Sequence, residues 1–110
     1  MSYFKDYRLN TGRREDKHFK ATLFEGASLI VGVNCLEPGQ TQPVHHHQGA
    51  DKVYVVMEGE GLFTVGDERH QGQPGDVIWA PAGVPHGVEN HSGGRLTLLV
   101  GIAPPPEMHG

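Results

Sequence analysis

The sequence predicts an all-β chain folded as one small barrel or two facing sheets, and three observations carry that expectation. Apolar residues alternate over short runs, as at Leu29, Val31, Val33 and Cys35, and a period of two places such residues on one face of a strand. The 16 glycines and eight prolines among 110 residues interrupt these runs at short intervals, which is the punctuation of tight turns. No run long enough for a substantial helix carries a helical period. A chain of this length makes one core, and joining a second copy would bury more apolar surface.

Taken in order, residues 1–15 form a charged arm whose larger apolar anchors are Tyr3, Phe4 and Tyr7, either a loosely ordered tail or an arm that pairs with a second subunit. Residues 16–103 are expected to make the barrel. Lys17–Phe24 alternates with Phe19, Ala21 and Leu23 on one face, Gly26 marks a turn, and the Leu29–Cys35 run follows. Leu36–Gly39 reads as a turn on the strength of Pro38-Gly39. Val53–Met57 is β-branched and apolar, hence a strand. Gly61–Val65 and Glu68–Gln71 flank Gly66-Asp67, a pair suited to a type II′ hairpin. Val77–Ala80, the turn Pro81-Ala82-Gly83, and His86–Glu89 read as strand, turn and strand. Arg95–Ile102 is the last strand, with Leu96, Leu98 and Val100 on one face. Residues 104–110 form a tail, because Pro104, Pro105 and Pro106 donate no amide hydrogens.

The formal charge of −4 gives no electrostatic case for nucleic acid, and no long apolar or basic amphipathic stretch suggests a membrane. One cysteine, Cys35, excludes an intrachain disulfide and reads as a small core residue. With no signal pattern in the polar opening residues, the expected location is the cytoplasm.

Chemistry concentrates in two stretches. In the first, GQTQPVHHHQGADKVYVVMEG from Gly39 to Gly59, His45 and His47 stand two apart, so an extended backbone projects both imidazoles from one face, as two ligands of one metal require. A solvated triple histidine is the alternative, and His46 between them would point outward. In the second, GDVIWAPAGVPHGVEN from Gly75 to Asn90, His86 opens a strand beside a turn. The second stretch resembles the second motif of the cupin superfamily, G-x5-P-x-G-x2-H-x3-N, and Gly75, Pro81, Gly83, His86 and Asn90 match it throughout. Gly39, His45, His47 and Gly59 match the first cupin motif, G-x5-H-x-H-x3,4-E-x6-G, but Lys52 occupies the place of its glutamate and Asp51 precedes it.

The resemblance implies a small single-domain cupin, an all-β double-stranded β-helix or jelly-roll barrel, in which His45, His47 and His86 hold one divalent transition metal. Imidazoles suit Zn, Fe, Ni, Cu or Mn, and three of them leave positions open for water or a small-molecule ligand. Cupins include metal-dependent dioxygenases, isomerases and decarboxylases as well as non-catalytic binding modules, so enzyme status stays open, and a homodimer is expected. Asp51, Lys52 and Tyr54 are further residues for the metal's surroundings. Strand alternation aims Lys52 inward, yet an ammonium about 5 Å from a dication is repelled by on the order of 6 kcal/mol at an effective dielectric near 20. The favoured expectation is therefore Lys52 turned away or held at the pocket edge, with a bulge that brings Asp51 inward as the alternative. Asn90 is expected to fix its turn, His70 and His91 to be solvated, and Trp79 to be core or pocket wall.

Overall fold

The computed structural model describes residues 2–45 and 49–106. Within them the chain makes a 3₁₀ turn at Tyr7–Asn10 and the strands β1 (Phe19–Glu25), β2 (Ile30–Leu36), β3 (Thr41–His45), β4 (Asp51–Glu58), β5 (Gly61–Val65), β6 (Glu68–Gly72), β7 (Val77–Ala80), β8 (His86–Glu89) and β9 (Leu96–Ala103). These form a five-stranded sheet in the order β1-β2-β9-β4-β7 and a four-stranded sheet in the order β3-β8-β5-β6. All the pairings are antiparallel. The two sheets face each other as a jelly-roll barrel, the expected fold class.

Each face follows from the alternation. Along β4, Lys52, Tyr54 and Val56 are buried while Val53, Val55 and Met57 are only half-buried, and register sets Tyr54 against Val100 and Val56 against Leu98 of β9. Leu36, Tyr54, Val56, Phe63, Val88, Leu96, Leu98 and Val100 form the core between the sheets. Burying one such side chain contributes roughly 1.5–3 kcal/mol, so this cluster is what holds the sheets together.

Leu36 extends β2 and is fully buried, although the sequence places it in a turn; the turn begins one residue later because Leu36 still pairs with Leu96. The Val31, Val33 and Cys35 alternation points away from the barrel interior. With Leu23, Phe19 and Leu99 it makes a second small core on the outer face of the five-stranded sheet, closed by Tyr7. The arm thus packs on its own sheet, helped by a bond from Lys5 Nζ to the Leu23 carbonyl of 2.7 Å, and leaves Tyr3 and Phe4 exposed. Trp79 is also different from expectation. It pairs with Val53 on the outward parity of β7 and is 57% exposed, because the inward positions of that strand are Ile78 and Ala80.

Two glycines show where backbone geometry, not packing, chose the residue. Gly59 has φ +77°, and a Cβ there would collide with the Arg95 carbonyl, so the turn after β4 accepts no other residue without moving β9. Gly66 has φ +58° between Val65 and Glu68, as the first central residue of a type II′ hairpin requires.

Candidate metal centre

β3 and β8 lie side by side, and their register pairs His45 with His86. The register shifts between Gln42 and His45, a bulge that changes the parity of the strand. Gln42 is therefore buried, Val44 is 57% exposed, and His45 turns back toward His86. The two imidazole centroids are 4.8 Å apart with planes at 51°. His86 is buried, and Gly83, at φ +79°, makes the turn that delivers it to the start of β8.

The same local bond orients both rings. His45 Nδ1 lies 2.7 Å from the Pro43 carbonyl and His86 Nδ1 lies 3.0 Å from the Val84 carbonyl. A carbonyl can only accept, so each Nδ1 carries the proton and donates it, and the lone pair a neutral ring offers to a metal is then the one on Nε2. This is the arrangement in which a histidine binds a transition metal, with its other nitrogen tied to a carbonyl. The donor chemistry of the pair fits Zn, Fe, Ni, Cu or Mn. His47, the third ligand expected, and His46 lie outside the described residues, and among the described residues no cluster of three or more His, Cys, Asp or Glu could hold a metal.

Lys52 is disposed unlike the favoured expectation, whereas Asp51 stays outside as that expectation has it. Lys52 is 8% exposed and inward, because the β4 alternation runs unbroken from Val56 through Tyr54. No bulge brings Asp51 in: it pairs with Ala103, is exposed, and accepts a 2.9 Å hydrogen bond from the Ala82 amide. Desolvation, with a smaller contribution from Lys20, pulls the Lys52 ammonium from 10.5 to about 8. Its Nζ stands over the Tyr54 ring at 4.8 Å from the centroid, and none of the ion pairs among the described residues includes it.

Tyr54 neighbours both the His86 imidazole and the Lys52 ammonium. Its ring is 6.3 Å from that of His86, its hydroxyl donates to Gln42 Oε1 at 3.2 Å, and burial pushes its phenol up. This bond joins the two sheets across the interior. Gln42 escaped the sequence reading because Pro43 and the bulge hide its parity. Asn90 fixes its turn as expected: Nδ2 donates to the Leu36 and Gly94 carbonyls, and Oδ1 accepts from the Ser92 amide and hydroxyl. His70 and His91 are exposed, and Cys35 is a buried free thiol.

Comparison with known proteins bears on the family of the chain. The model of the cupin domain family matches residues 32–102. A solved structure from Thermus thermophilus is 40% identical, with a TM-score of 0.92 over 96% of this chain and 100% of that one. An oxalate-binding protein of Thermotoga maritima is 30% identical over 89 residues, 81% of this chain and 68% of that protein. A gentisate 1,2-dioxygenase of a Ralstonia species is 31% identical over 77 residues, which are 69% of this chain but 21% of that enzyme.

Proposed function

Since the chain belongs to the cupin domain family, we propose that its barrel holds one divalent transition metal on His45, His47 and His86 and uses it to anchor a small-molecule ligand. The observation that carries this reading is the shared orientation of His45 and His86, each with Nδ1 donating to a backbone carbonyl and its lone pair on Nε2. When bound, the metal supplies a Lewis acid that polarises an oxygen of the ligand. The chain does the rest. The Pro43 and Val84 carbonyls hold the ring tautomers, Tyr54 and Gln42 fix the floor beside them, and the apolar core below excludes water from that side.

Turnover of the ligand is a second reading, favoured by the similarity to the gentisate 1,2-dioxygenase. The structure describes no helix long and apolar enough to cross a membrane. We propose a homodimer as the working assembly, because Tyr3, Phe4, Val77 and Trp79 are exposed apolar groups that a second copy would cover. Light scattering should give twice the chain mass, and a clean monomer at high concentration would refute that assembly.

The metal reading is tested by elemental analysis of untagged protein, as purified without a nickel column and after reloading with Zn, Fe, Ni, Cu or Mn. Stoichiometric uptake by the wild type, lost in His86→Ala and retained in His46→Ala, is expected. No stoichiometric metal under any loading would refute it.

A further inference from the structure

The inner face of the five-stranded sheet carries a hollow of about 230 Å³ lined from four strands: Lys20 and Thr22 on β1, Asn34 on β2, Val100 on β9 and Lys52 on β4. Ile30 and Ile102 complete its apolar wall, and neither His45 nor His86 lines it. Lys52 and Asn34 are buried, at 8% and 6% exposure, whereas Lys20 stands exposed at the rim. An ammonium removed from water is costly unless an anion meets it, and the ion pairs of the described residues give Lys52 none. A second basic hollow, about 400 Å³ beside Arg13, Arg14, Lys17 and Lys20, differs in this respect: its two arginines are already paired with Glu15 and Asp16.

We infer that the Lys52 hollow binds the carboxylate of a short aliphatic acid. Lys52 meets the carboxylate, and Lys20 attracts it from the rim. The Asn34 amide and Thr22 hydroxyl supply neutral donors, and Ile30, Val100 and Ile102 take the aliphatic chain. The hollow, about 230 Å³ and open to solvent on one side, has room for a short acid such as one of five or six carbons. The apolar wall is what distinguishes this site from one for an inorganic anion. Nothing in it depends on a bound metal, so it stands or falls separately from the metal reading.

The test uses the full chain stripped with chelator, titrated by calorimetry with valerate, with its neutral analogue valeramide, and with inorganic phosphate. Saturable binding of valerate is expected, with both comparison ligands binding more than about tenfold more weakly. Lys52→Met should lose more than about tenfold in valerate affinity, and Lys20→Met, on the exposed rim, about threefold. Equal affinity for valeramide would mean that charge is not read, and equal or tighter phosphate binding would mean a general anion patch. Either result overturns the inference, as does the absence of saturable valerate binding or wild-type affinity in folded Lys52→Met.

Discussion

On β3 and β8 the inward polar groups include two imidazoles, each held by a carbonyl two residues earlier in the chain. On β4 and β1 they are the ammonium groups of Lys52 and Lys20, brought into one hollow with no carboxylate against Lys52 among the described ion pairs. On the readings proposed above the first wall takes a cation and the second an anion, and the hydrogen bond between Tyr54 and Gln42 joins the two sheets. A barrel can carry both because its interior faces come from two sheets, whose inward residues are set independently by the parity of each strand. On the proposed metal reading, a positive charge inside the same barrel weakens cation binding.

The largest effect expected on this contrast comes from removing the imidazole wall. His86→Ala should abolish stoichiometric metal uptake, whereas Asp51→Ala should leave it unchanged because Asp51 faces the Ala82 amide. Elemental analysis of the two reloaded variants distinguishes them. Reversing the other wall should act in the opposite direction: Lys52→Glu replaces repulsion by attraction and should tighten metal binding by more than about tenfold, read by competition with a chromogenic chelator.

Lys52→Met should stabilise the metal-free protein by roughly 3 kcal/mol at pH 7, since the fall of the ammonium from 10.5 to about 8 measures the cost of keeping it charged in the fold. Between those two values the unfolded chain holds more protons than the folded one. Wild-type stability should therefore rise from about pH 8 to 10.5, with the whole penalty present below pH 8. Denaturant melts across that window should lose this slope in Lys52→Met; the same slope in both proteins would show that Lys52 is not buried with its charge.

Severing the link between the walls should cost less. Tyr54→Phe removes the donor to buried Gln42 and should destabilise by about 1–3 kcal/mol in thermal unfolding, with metal uptake retained. The smallest expected effect lies outside the barrel mouth. Burial first, then Lys20, Lys52 and Lys17, lower the half-buried His18 ring from 6.5 to about 4. Stability should fall as pH drops from 6.5 to 4, modestly because solvent screens the ring, and His18→Gln should flatten that limb.

The amino-acid sequence by itself determined the all-β class, most strand positions and the hairpin at Gly66-Asp67, because each rests on a local rule of alternation or turn geometry, while the turn-fixing role of Asn90 came from the resemblance of its motif to that of cupins. Parity alone also aimed Lys52 inward; the opposing electrostatic argument assumed a dication close enough to expel it. What only the tertiary structure decided is which face of an alternating strand meets which neighbour. The Val31, Val33 and Cys35 face packs under Tyr7, Trp79 faces outward, and a bulge in β3 turns both Gln42 and His45 to the interior. A strand pattern separates two faces but does not say which one the barrel encloses, because that depends on strands distant in the chain and on the register that joins them.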